Sequence, residues 1–119
     1  MSLFSFLAIG AASTLCPSMS VHDGDTIRCG SERIRLADID APELPDSPKC
    51  QDYRARYAWC DFKKGYASRD ALRTFVAKGR VVVVRQGLDR YGRTLALIRV
   101  KGVDVGDWLI GRGLARRWN

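Results

Sequence analysis

At 119 residues the chain has room for one domain around a single core and not for two. Hydrophobic residues make up 46% and charged residues 28%, an ordinary globular mixture that excludes disorder as the default state. The net charge of +7 is unevenly laid: eight of the 13 acidic residues fall between Asp23 and Asp52, whereas 16 of the 20 basic residues lie from Arg54 onward. A local acidic site on a cationic body attracts a polyanion through its long-range field and counterion release. Against that, a ratio of 15 Arg to 5 Lys also fits an arginine-rich composition with a solubilising surface.

In chain order, residues 3–12 are apolar and of signal-peptide length, and Ala11-Ala12-Ser13 has the small side chains of a cleavage site, yet no lysine or arginine precedes Arg28. The stretch reads either as a signal remnant or as a lead-in strand, dividing the chain into residues 1–13 and a domain over residues 14–119. It is too short to cross a bilayer as a helix, and no other segment is long and apolar enough, so no membrane partner is expected. Residues near 15–22 and 25–30 read as a hairpin around Asp23-Gly24. Residues 33–38 form a third strand, whose alternating Arg33, Ile34, Arg35 and Leu36 give it one apolar face. Residues 44–63, with Pro45 and Pro48, form an irregular loop with room for a helical turn at 52–59. Ala67, Leu72, Phe75 and Val76 then recur at helical spacing, with Gly79 as the stop. A β-branched strand at 81–85, a turn at 89–92 and a strand at 95–100 follow, then a second helix at 105–112 ending at Gly113. This is an α+β plan, mainly β, without internal repeats.

The four cysteines, Cys16, Cys29, Cys50 and Cys60, have no C-x-x-C spacing, and with one histidine in the chain a structural zinc site is not expected. Disulfides fit better. Cys16 and Cys29 flank the Asp23-Gly24 turn almost symmetrically, and Cys50 and Cys60 close a short loop after Glu43, so these two pairs are expected over the two other connectivities. Such bonds point to an oxidising compartment, secreted or periplasmic.

The segments at 21–28 and 33–43 carry Asp23, Asp25, Asp38, Asp40 and Glu43 together with Arg28, Arg33 and Arg35. Carboxylate oxygens are the ligands that hard divalent ions prefer, and the guanidinium fork matches phosphoryl oxygens. Metal-assisted phosphodiester chemistry is the first reading of such a mixture.

Asp23-Gly24-Asp25-Thr26, Arg35, Asp40-x-Pro42-Glu43 and Asp89-Arg90-Tyr91-Gly92-Arg93, in that order, resemble the staphylococcal nuclease (thermonuclease) family. The run at 109–115 is similar to the family's second helix and the strand after it, so the resemblance extends from about Val21 to Ala115. It implies a five-stranded OB-type barrel with two packed helices. It also implies a calcium-dependent nuclease that hydrolyses phosphodiester bonds of DNA and RNA to give 3′-phosphate ends. By this resemblance Asp25 and Asp40 bind Ca2+ with the backbone carbonyl of Ala41, which stands where threonine is more familiar. Glu43 matches the glutamate that orients or deprotonates the attacking water, and Arg35 and Arg93 match the two arginines that grip the phosphoryl group. Tyr91 and Arg90 are placed near a bound nucleotide, against plain turn packing and surface charge. A monomer contacting phosphates, with little base preference, is expected. Family members often continue into a third helix with nucleotide-contacting aromatic residues, and here Trp118 is the side chain that would supply part of that surface.

Bland readings compete residue by residue. Turn geometry accounts for Asp23 and Gly24 and could account for Asp25, while Asp38 shares an extended face with Asp40 and reads as solvated. Arg33 reads as a surface or backbone-contacting charge and His22 as a turn residue. The rival class is a non-catalytic nucleic-acid- or protein-binding module on the same barrel, which typically lacks the carboxylates. An accessory protein acting on another anionic polymer by electrostatics is a third.

Overall fold

In the computed structural model, residues 13–118 are described. The apolar stretch at 3–12 lies outside the described residues. β1 (Ser13–Leu15) and β2 (Met19–Asp23) are two pieces of one chain path broken at residues 16–18, and β3 (Thr26–Cys29) and β4 (Glu32–Leu36) continue it as an antiparallel meander. β6 (Val81–Leu88) and β7 (Thr94–Val100) form a hairpin whose second strand runs parallel to β4. The sheet order is β1-β6-β7-β4-β3-β2. Because β1 and β2 are consecutive, the opening path pairs at both edges and bends the sheet into the expected OB-type barrel.

Alternation drives this arrangement. Ile34 and Leu36 of β4, Val81 and Val83 of β6, and Ala96, Ile98 and Val100 of β7 are buried, while the alternate Arg33 and Arg99 are exposed. Two helices cover the barrel: α1 (Phe62–Val76), capped by the Asp61 carboxylate accepting from the Lys64 N–H, and α2 (Val105–Gly111), capped in the same way by Asp104. The short β5 (Ile39–Asp40) pairs with β9 (Arg116–Arg117), and β8 (Val103–Asp104) extends β7. No described helix is long and apolar enough to cross a membrane.

Several expectations shift. The stripe of α1 that faces the barrel is Gly65, Ser68, Leu72 and Phe75, whereas Ala67 is exposed. Ser68 takes the inner place because its hydroxyl donates to the Leu114 carbonyl at 2.8 Å, which periodicity of apolar residues cannot reveal. The helical turn of the loop is a 3-10 turn at Pro48–Gln51 rather than at 52–59, opened by the preset φ of Pro48. β6 runs on to Leu88 because a bulge between Arg85 and Gly87 lets pairing with β7 resume. Both disulfides, Cys16–Cys29 and Cys50–Cys60, join as expected, with Cα atoms 5.6 and 5.8 Å apart. Cys29 lies opposite Met19 in the ladder, so Cys16 reaches it from the break between β1 and β2.

Candidate active site

The β2–β3 turn is Gly24-Asp25, pressed against α1 so closely that a Cβ at position 24 would strike the Ser68 hydroxyl and the Ala41 methyl. That contact sets Asp25 beneath the segment after β5. Its Oδ2 accepts from the Ala41 N–H at 2.8 Å and its Oδ1 from the Thr26 hydroxyl at 3.2 Å. Asp40, on β5, lies beside it, and the two side chains are only 9% and 11% exposed. Arg35, opposite Thr26 in the β3–β4 ladder, spans them: one nitrogen is 3.4 Å from Asp25 Oδ2 and the other 4.0 Å from Asp40 Oδ1.

Glu43 is positioned mostly through its backbone. Its N–H donates to the Trp59 carbonyl at 2.7 Å, and its own carbonyl rests on Gly65 of α1, where any Cβ would collide. The Ser47 hydroxyl donates to Glu43 Oε1 at 2.7 Å. Arg93 is aimed by Asp89, which accepts its Nε at 2.7 Å and its backbone N–H at 2.9 Å. Burial works to raise the Asp89 carboxyl, but hydrogen bonds from Arg93 and from the Tyr91 N–H outweigh it and hold the group below the usual range.

Asp25, Arg35, Asp40, Glu43, Tyr91 and Arg93 all line one groove of about 590 Å³. Tyr91 is 59% exposed at its edge, with the Arg90 and Arg93 guanidinium groups 5.1 and 5.5 Å from its ring centre. Arg90 faces an adjoining groove, with Tyr57 and Trp118, that shares Arg35, Asp40, Glu43 and Arg93 with the first. Ala41 is buried, its N–H held by Asp25. Asp38 does not share a face with Asp40. It adopts φ 67° in the β4–β5 turn, points to solvent, and gives its carbonyl to the Trp118 N–H, a conformation that Asp tolerates better than most residues.

Two participants escape a reading of the sequence. Arg116 donates through Nε to Asp40 Oδ2 at 2.9 Å and through Nη2 to the Tyr57 carbonyl at 2.8 Å, with Nη2 also in ion-pair contact with Asp40 Oδ2 at 2.8 Å. Its partner lies 76 positions away, and only its place directly after Gly113-Leu114-Ala115 hints at it. Asp23, assigned to turn geometry alone, does cap the Asp25 N–H at 3.1 Å but also lines the groove. Burial first, and then the neighbouring Asp25 charge, push its carboxyl up to about 8. Asp40 is likewise raised by burial and by Asp25, with Arg116 opposing. Among the described residues no three His, Cys, Asp or Glu side chains converge as a ready-made metal cluster. What exists is a crowd of mutually repelling carboxylates whose charged forms a cation would favour, with hard oxygen donors suited to calcium.

A family model described as staphylococcal nuclease homologue matches residues 33–119. The chain belongs to this family. Asp25 lies ahead of the matched stretch, and it is the fold that sets it beside Asp40. The chain is 39% identical over 108 residues to the succinoglycan biosynthesis protein ExoI of Rhizobium meliloti, covering 89% of this chain and 53% of that protein. It is 31% identical over 121 residues to an uncharacterized endonuclease of Haemophilus influenzae (95% and 59%) and 36% identical over 100 residues to one of Escherichia coli O157:H7 (80% and 55%). The chain thus spans about half the length of the curated relatives it matches.

Proposed function

We propose that this chain is a calcium-dependent nuclease that hydrolyses phosphodiester bonds of DNA and RNA, as a monomer, leaving 3′-phosphate ends. The observation that supports this most is the meeting of Asp25, Asp40, Glu43, Arg35 and Arg93 on one groove in a chain of this family. Two relatives bear the name endonuclease, which accords with it. Asp25, Asp40 and the Ala41 carbonyl would hold the ion through hard oxygen donors. Bound there, calcium supplies positive charge for a phosphoryl oxygen and lowers the pKa of nearby water. Glu43 aligns that water and takes its proton; its carboxylate is held by Ser47 for the purpose. The water oxygen joins phosphorus as the bond to the 5′ oxygen breaks, and the leaving oxygen takes a proton from solvent because a guanidinium does not release one. Arg35 and Arg93 stabilise the charge that grows on the five-coordinate phosphorus. Tyr91 and Arg90 border the path of the nucleotide. Phosphate contacts carry little base information, so sequence preference is loose. The two disulfides support a secreted or periplasmic setting.

The deciding assay digests plasmid and single-stranded substrates with calcium, with chelator, and with Glu43→Gln. Cutting lost in the last two arms is the expected result. Binding without cutting in every arm, wild type with calcium included, would overturn the reading in favour of a non-catalytic module.

A further inference from the structure

In the ladder between β3 and β4, Arg28 stands directly opposite Arg33. Both are exposed, and among the described residues neither has a carboxylate within 4.0 Å. Neighbouring rungs hold compatible pairs, Ile27 with Ile34 and Thr26 with Arg35. Like charges opposed across antiparallel strands repel, so this rung weakens the isolated sheet and favours an anion laid over it. A cavity of about 400 Å³ covers the pair, and His22, Thr26, Arg33 and Arg93 are common to it and to the catalytic groove. Arg33 is also held in place, since one of its nitrogens donates to the Tyr91 carbonyl at 2.9 Å on the groove rim. Its remaining donors are available to a ligand. Arg33 and Arg35 lie on the same face of β4 two residues apart, about 7 Å at the rise of a strand and close to one nucleotide step.

We propose that Arg28 and Arg33 form a second phosphate subsite, which takes the phosphate next along the strand from the one gripped by Arg35 and Arg93. Resting on the nuclease reading, this makes the substrate an oligonucleotide laid across the β3–β4 face rather than any small phosphodiester.

The test measures binding of a labelled single-stranded oligonucleotide in chelator at several salt concentrations, for wild type and the Arg28→Gln, Arg33→Gln double variant. The slope of log K against log salt is expected to fall by about 0.7 to 1.4, the loss of one or two phosphate contacts. With calcium, KM for the oligonucleotide is expected to rise about ten-fold at unchanged kcat, while hydrolysis of a mononucleotide aryl ester stays the same. The urea midpoint should stay close to wild type, because the removed repulsion offsets the lost Arg33 bond to the Tyr91 carbonyl. An unchanged slope, or equal losses on oligonucleotide and ester, overturns the subsite. Arg28→Gln alone leaves the Arg33 bond to Tyr91 in place and gives a smaller shift in the same direction if the double variant does not fold. Failure of wild type to cut refutes the nuclease reading, and the salt slope in chelator still decides the subsite.

Discussion

A hydrogen atom at position 65 is what allows a helix to pack against the Glu43 segment. A methyl group at Gly65 would collide with the Glu43 carbonyl and press on the Pro42 carbonyl at 3.3 Å. Neither obstacle is a flexible side chain. Gly65→Ala is therefore expected to destabilise the fold by about 1–3 kcal/mol and to lower kcat by displacing Glu43; urea denaturation and steady-state hydrolysis report the two effects separately. Arg116 acts at the same scale, since it fixes one oxygen of Asp40 while leaving the other toward Arg35. Partners that orient a metal ligand are commonly worth about 10- to 100-fold in metal affinity. If the proposed calcium site is right, Arg116→Ala should weaken calcium binding by that order in calorimetry, and an affinity equal to wild type would mean that Asp40 is oriented by β5 alone.

Among the elements, the barrel is fastened at the start of β4 by Glu32, whose carboxylate takes two bonds from Arg85 of β6 and one from Thr94 of β7. The Arg85 hydrogen bonds, opposed by burial and assisted by Thr94, bring its carboxyl down to about 2. A folded-state value below the ordinary 4.5 means that the contribution is complete above about pH 4.5 and fades as pH falls toward about 2. With side chains 30% and 31% exposed, the pair is partly screened by water. Glu32→Gln should lower stability by about 1–2 kcal/mol near pH 7, and its gap to wild type should narrow in denaturation curves taken toward pH 2. The loop closed by Cys50–Cys60 is the other element that matters, because Trp59 receives the Glu43 N–H and Tyr57 receives Arg116. Replacing both cysteines by serine should lower stability by about 2–3 kcal/mol and reduce kcat as well; a stability loss with full activity would show that the loop is a staple and not a support for the site.

For the whole molecule, the +7 charge and the acidic groove act at different ranges. On the proposed reading, the cationic body draws a polyanion from beyond the contact distance, while the carboxylates act once a cation has neutralised them. Association with an oligonucleotide should therefore slow steeply between low and moderate salt, with kcat almost constant, in stopped-flow and turnover measurements. A kcat that fell in parallel would place the salt effect in the groove instead.

The alternation of β4, the stop of α2 at Gly113 and both cysteine pairs were legible from the residues, because each depends on neighbours in the chain or on one short closure, whereas α1 ends at Val76, ahead of Gly79. The motif order singled out Asp25, Arg35, Asp40, Glu43 and Arg93, and the fold brings these five to one groove. Ala67 misled, since the inner face of α1 is selected by Ser68 and Gly65, whose reasons for burial lie on other elements. Arg116, the crowding of Asp23 and the opposed Arg28 and Arg33 were decided by tertiary structure alone. Ladder register and the closing of the barrel bring residues tens of positions apart within hydrogen-bonding distance, and charges that were only composition in the linear chain acquire partners, or repel, once the sheet is wrapped.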